Sequence, residues 1–287
     1  MIPELPAEML TIGLVLLAAV LHASWNALAK ASGDPLVNIT VVTGTGGLLA
    51  VPFLFSVPLP GPETWSWLLA SAVLHYAYQL ALVRTYQLGD LGQVYPIARG
   101  LAPLGVAMLA SVGAGERLAP IQILGLALAS IAIMVLAGLG NQRSSSRGAV
   151  AMAMVTATLI GLYTYSDGRG VRSVAEPHFY IGWSFVLGSL PIALTTISIR
   201  GRAGLAALRA GGLHAVAGGL MATVAYGIVL WAMSRTTMAS VASLRESSVL
   251  FAAIIGSQLL GEPFGRRRML AALGLVVGLG LVQVGRG

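Results

Sequence analysis

The chain has 287 residues, 56% of them hydrophobic and only 9% charged, where a soluble domain carries about 25% charged residues. That balance excludes an ordinary water-soluble globule, which would expose large sticky patches, and makes lipid the expected solvent. The net charge of +7 rests on 17 basic residues set between apolar runs; they form no basic face with interleaved aromatics, which argues against nucleic-acid binding and suits anchors against anionic headgroups.

The segment from Met1 to Glu8 is acidic and lacks a basic n-region, so the first apolar run is expected to be a membrane helix and not a cleaved signal peptide. Crossing the hydrocarbon takes about 20 mostly apolar residues. Ten segments meet that length, at 9–29, 36–57, 64–85, 91–112, 118–138, 148–167, 178–198, 213–234, 237–259 and 268–285. Their continuous apolar runs predict helices, not the alternating strands of a barrel. The expected fold class is an all-α membrane protein of ten transmembrane helices.

Polar groups in these spans mark the candidate site. In the first span His22, Trp25 and Asn26 form an i, i+3, i+4 stripe, either a cavity lining or a helix–helix contact. The third carries His75, Tyr76, Tyr78 and Gln79. At about 100° per residue, His75, Tyr78 and Gln79 share one face, which reads as a cavity wall. The fourth contains Tyr95-Pro96 and Arg99 before Pro103, and each proline frees a carbonyl one turn earlier.

Residues 140–148 are rich in Gly, Ser and Arg and read as a linker. The expected units are 1–140, a linker at 141–147, and 148–287. In the sixth span Tyr163, Ser166 and Asp167 lie within a turn of one another. Asp167 either faces the same cavity or ends the helix, paired with Arg169. The basic stretch 200–209 is an interfacial helix or a solvated loop. Tyr226 and Trp231 in the eighth span are weaker candidates. The ninth span carries Arg245 and Glu246. A displacement of 148 residues lays Arg99 on Ser247, one turn from Arg245. Each half therefore places an Arg at similar depth. Charged groups in a span are functional candidates by default. A substrate carboxylate would suit Arg99 and Arg245, and a substrate ammonium Glu246; the other reading is a structural ion pair. Gly274-x-x-x-Gly278 in the tenth span fits close helix packing, within the chain or between copies.

The halves resemble each other. Ala77-Tyr78 runs on to Gly115-Glu116-Arg117, and Ala225-Tyr226 runs at nearly the same spacing to Gly261-Glu262-Pro263. Five spans is an odd number, so a second copy enters the bilayer from the opposite side. That gives an inverted repeat, the usual basis of alternating access.

Together with His22-Ala-Ser-Trp25-Asn26 and Lys30 at the end of the first span, these turns resemble the drug/metabolite transporter superfamily, its EamA-type members in particular. The resemblance covers about residues 10 to 285. It implies a carrier of amino acids or other small metabolites, exporting them across a bacterial inner membrane. No acid lies between Met9 and Ala29; the small four-helix multidrug relatives carry a Glu there, so proton-coupled export of cationic drugs is not implied. The resemblance also places both termini in the cytoplasm, which leaves more Arg and Lys on the outer loops than on the inner ones, against the positive-inside rule.

The chain has no Cys, and its four His are scattered. No HExxH, P-loop or GxSxG motif occurs, so neither catalysis nor any cofactor or metal is expected. The expected function is a secondary exporter of small amphipathic, zwitterionic metabolites, amino acids above all. The expected binding residues are Trp25, Asn26, His75, Tyr78, Gln79, Tyr95, Arg99, Tyr163, Arg245 and Glu246. Drug or organic-anion export, nutrient uptake, and a non-transporting scaffold or lipid-modifying enzyme are the alternatives. The expected partners are the substrate and membrane lipids, with the chain a monomer or weak homodimer.

Overall fold

The computed structural model describes residues 7–29, 34–88, 91–138, 147–210, 212–259 and 266–284. Among these there are eleven α-helices and no strand. In the first half they are α1 (Ala7–Ala29), α2 (Pro35–Leu54), α3 (Pro62–Leu88), α4 (Leu91–Gly113) and α5 (Pro120–Gly138). The second half holds α6 (Arg147–Val171), α7 (Pro177–Ala210), α8 (Gly212–Met233), α9 (Met238–Arg245), α10 (Ser248–Leu259) and α11 (Arg266–Val284). Four helices begin on a proline, Pro35, Pro62, Pro120 and Pro177, where the missing N–H would have no helical partner. Asp34 caps α2, accepting from the Leu36 and Val37 amides at 3.0 and 3.4 Å. Its other oxygen meets Arg200 Nε at 2.9 Å.

Seven segments are long and apolar enough to cross a bilayer, and three shorter apolar helices, Ile97–Gly113, Pro120–Leu136 and Met269–Val284, stand beside them. Large apolar side chains cover their outer faces, among them Leu124 and Ile131 on α5 and Leu273 and Val276 on α11. Water would not tolerate that surface, and lipid does. The chain is an integral membrane protein.

Two local features refine the sequence reading. The predicted span 237–259 is divided into α9 and α10. Glu246 N–H bonds the Ser243 carbonyl and Ser247 N–H the Leu244 carbonyl, i→i+3 bonds that tighten the chain where a continuous helix would run i→i+4. The backbone of 202–210 is helical, in line with the helix alternative for that stretch. It follows a break at Gly201, whose φ of 50° and ψ of −134° suit a residue without a Cβ.

The principal packed pairs are α1 with α8, α3 with α6, α2 with α7, α5 with α11, and α4 with α5 and α6. Exchanging the halves turns the α1–α8 pair into the α3–α6 pair and leaves α2–α7 and α5–α11 in place. Helices α5 and α11 approach closely. A Cβ on Gly278 would stand 2.7 Å from the Gly125 carbonyl oxygen, so only glycine permits that approach. Gly274 and Gly278 thus face α5 within the chain. Buried hydroxyl pairs join the halves elsewhere, Thr40 with Thr196 at 2.6 Å and Thr85 with Thr156 at 3.0 Å.

Candidate substrate cavity

A cavity of about 170 Å³ opens between α1, α2 and α3 of the first half and α6, α7 and α8 of the second. Aromatic rings dominate its wall. His75 stacks on Tyr163 with centroids 4.1 Å apart and planes at 26°. Tyr78 leans on Tyr163 from one side at 5.2 Å, and Tyr226 meets His75 edge-on at 5.5 Å. Phe185, Trp25 and His22 complete the ring surface. The indole N–H of Trp25 donates to His22 Nδ1 at 3.3 Å. Ser184, Ser189, Thr43 and Thr223 add hydroxyls, and no Asp, Glu, Lys or Arg stands in the described lining.

Gln79 also lines the cavity. It is buried, and its Oε1 accepts no hydrogen bond among the described residues. A buried acceptor without a donor is costly.

At one end of the cavity, behind His75 and Tyr226, lies Asp167, which is fully buried. Its Oδ1 accepts from Ser71 Oγ at 2.5 Å and Tyr180 Oη at 2.8 Å. Its Oδ2 accepts from Tyr226 Oη at 2.5 Å and meets His75 Nε2 at 3.0 Å. A carboxylate offers about four lone-pair sites, and here all four are taken by groups from α3, α7 and α8. Arg169 is not its partner, which corrects the helix-end alternative. Instead Arg169 Nη1 donates to the Gly113 carbonyl at 2.6 Å and to Tyr165 Oη at 3.2 Å. Helix α6 runs on to Val171, so Asp167 lies inside the helix.

Arg99, Arg245 and Glu246 stand apart from the cavity wall in a second buried cluster. Arg99 Nε is 2.9 Å from Glu246 Oε2, and Arg245 Nε is 3.9 Å from Glu246 Oε1. Arg99 Nη2 also donates to Ser248 Oγ at 3.3 Å. The structure therefore joins the two arginines of matching depth through one carboxylate at the α9–α10 break. Helix α1, which carries His22 and Trp25, packs against α9 and α10, so the cluster adjoins the α1 wall.

Of the residues expected from the sequence, Trp25, His75, Tyr78, Gln79 and Tyr163 line the cavity. Asn26 stands beside it, with Nδ2 donating to the His22 carbonyl at 2.7 Å. The Tyr95 side chain lies outside the described residues. Sequence reasoning did not bring in Ser71, Tyr180 or Phe185; it left His22 and Asp167 between two alternatives and placed Tyr226 among the weaker candidates, and His22 and Tyr226 line the cavity. A second cleft, of about 400 Å³, lies at the helix ends between the α2–α3 and α6–α7 connections. It is walled by residues 58–64, 173–175 and Phe179, with Glu63 its one charged group, and does not reach the bundle interior.

The Gly-Glu turn gains a structural meaning. Gly115 has φ +67°, a left-handed conformation that favours glycine. That turn brings Glu116 to the start of α9, where both its oxygens accept from Met238 N–H at 2.9 and 3.0 Å. Arg172 ties Glu116 to the end of α8 through the Met233 and Thr236 carbonyls. The corresponding turn at 261–262 lies outside the described residues.

Among solved structures, a crystal structure of another protein, 16% identical, superposes with a TM-score of 0.72 over 96% of this chain and 98% of that one. At that identity the likeness establishes the fold alone. No protein in the curated set matches. The sequence pattern of the EamA-like transporter family matches twice, over residues 9–138 and again over 147–284. With nearly the whole length accounted for in two copies, the chain belongs to the EamA-like transporter family.

Proposed function

We propose that this transporter is a secondary exporter of small zwitterionic metabolites, amino acids with apolar or aromatic side chains foremost, in a bacterial inner membrane. It works by alternating access between two inverted five-span units, 1–140 and 148–287, counting α9 and α10 as one span. The observation that carries the reading is the aromatic cavity between the halves. Its rings suit an apolar side chain, and Gln79 adds an amide to the same wall.

The charges around the wall support a zwitterion. The Asp167 carboxyl, held by hydroxyl donors from Ser71, Tyr180 and Tyr226, lies behind one end of the wall. Two arginines against one glutamate give the Arg99 cluster an excess positive charge near His22. A ligand with an ammonium toward the first and a carboxylate toward the second meets both fields. The absence of Lys and Arg from the described lining weighs against organic anions. The exchange of helix pairs between halves supports the inverted repeat.

The test is uptake of radiolabelled leucine, phenylalanine, tryptophan, threonine and lysine into proteoliposomes holding the purified full chain. Saturable counterflow of the apolar and aromatic members is expected. Folded protein that exchanges none of the five removes the amino-acid reading.

A further inference from the structure

We propose that Gly188 sets the size of the side chain this carrier accepts, by leaving open the part of the cavity in which a ring or a branched alkyl group lodges. The proposal rests on the amino-acid reading above and deepens it, from apolar side chains in general to those about as large as one aromatic ring.

Two glycines stand in the described wall, Gly46 on α2 and Gly188 on α7. They differ in what surrounds them. A Cβ on Gly46 would stand 2.8 Å from Thr223 Oγ1, so that glycine lets α2 approach α8. A Cβ on Gly188 would meet nothing within 4 Å among the described residues. The backbone at 188 is ordinary helix, outside the left-handed region. Glycine weakens a helix interior relative to alanine. Close packing and turn geometry, the usual reasons to accept that cost, do not apply at 188. What remains is the space itself.

Helical spacing shows where that space lies. Ser184 and Phe185, one turn before Gly188, also line the cavity. Leu190 and Leu194, on the opposite face of α7, are 49% and 63% exposed and cover the lipid side. A side chain at 188 would therefore project beside the Phe185 ring into the cavity, not into lipid.

Volume makes that position decisive. The cavity holds about 170 Å³, close to the roughly 150 Å³ at which an engineered apolar cavity takes up benzene. It has room for one such ring with little to spare, and Tyr163, Tyr226 and Phe185 offer that ring edge and face contacts. Each carbon added at 188 takes space from a large substrate and costs a small one nothing. A helix-bending role beside Pro191, three residues on, makes a different prediction. It would slow every substrate alike, whereas loss of space discriminates by size.

The experiment measures counterflow of labelled alanine, threonine, leucine and phenylalanine in proteoliposomes of the full chain. The proteins are wild type, Gly188→Ala, Gly188→Leu and Gly13→Leu. Gly13 is exposed on α1, and a Cβ there also meets nothing within 4 Å, so Gly13→Leu adds the same side chain on the lipid face. In Gly188→Ala the kcat/KM for phenylalanine and leucine, relative to alanine, is expected to fall about tenfold, the effect of one methylene in a tight apolar pocket. In Gly188→Leu it should fall further, while Gly13→Leu keeps the wild-type ratios. Gly188→Ala adds one methyl group and a better helix former, so it decides the question alone if the leucine variant is not recovered folded. Unchanged ratios in Gly188→Ala overturn the proposal. An equal slowing of all four substrates also overturns it and assigns the glycine to bending of α7. Wild type that exchanges alanine and threonine but neither leucine nor phenylalanine overturns it and leaves the carrier standing. Wild type that exchanges none of the four removes the amino-acid reading and this proposal with it.

Discussion

Asp167 and Glu246 are both carboxylates sealed inside membrane spans, and the protein treats them in opposite ways. Asp167 is surrounded by neutral donors, three hydroxyls and an imidazole, and its shell includes two cavity-wall residues. Glu246 faces two guanidinium groups and borders no part of the wall. Arginine does not give up its proton in a protein, and through Glu246 the two guanidinium groups tie α4 to the α9–α10 break. Among the described residues Asp167 has no guanidinium partner, and two of the groups that hold it, His75 and Tyr226, also face the cavity. A buried acid in a span is thus not one kind of feature. Its partners decide whether it is a fastening or a site.

The largest expected effect comes from breaking the fastening. Glu246→Ala leaves two buried guanidinium groups with no countercharge. Removing one partner of a buried ion pair typically costs about 3–5 kcal/mol. Thermal stability of the detergent-solubilised protein, followed by size-exclusion chromatography, should collapse or the variant should not be recovered folded. A Glu246→Ala protein of wild-type stability would show that the cluster holds nothing together.

The difference between the two acids was only partly legible in the sequence. The apolar runs marked most helices because lipid permits few polar residues to interrupt them. The His75, Tyr78 and Gln79 face was readable because helical spacing fixes it. The break at Glu246 was not, since Ser243 to Ser248 contains neither Gly nor Pro to mark it. Asp167 was misjudged because Gly168 and Gly170 resemble the end of a helix. They serve packing instead. A Cβ on Gly170 would collide with the Tyr180 ring, and one on Gly168 with Met238. Gly170, one of the glycines that disguised Asp167, makes the room that lets Tyr180 reach it.

Tyr180→Phe tests the site side of the comparison. It removes one of four donors to an ionised acid and keeps the ring that fills the space beside Gly170. Hydrogen bonds to charged groups contribute roughly 1.5–3 kcal/mol. A loss of stability in that range is expected, smaller than for Glu246→Ala. A loss within about 0.5 kcal/mol, the span of ordinary surface changes, would mean that the Tyr180 hydroxyl contributes little to holding the Asp167 charge.

A third carboxylate supplies the smallest effect and sharpens the contrast. Glu116 also pairs with an arginine, but Arg172 is 31% exposed at the end of the bundle. Water screens that pair, so the pair itself is expected to contribute about 0–1 kcal/mol. The charge at the start of α9 adds a further 0.3–1 kcal/mol or so through the helix dipole. Glu116→Gln keeps an acceptor for the Met238 amide and removes only the charge, so a loss near 1 kcal/mol is expected. Added salt should erase part of the difference between wild type and this variant, because screening already weakens the wild-type pair. The Glu246 cluster, sealed from water, should give a stability difference that salt does not change. Equal salt sensitivity at the two positions would mean that ions reach Glu246, and the distinction between a sealed fastening and a surface pair would fall.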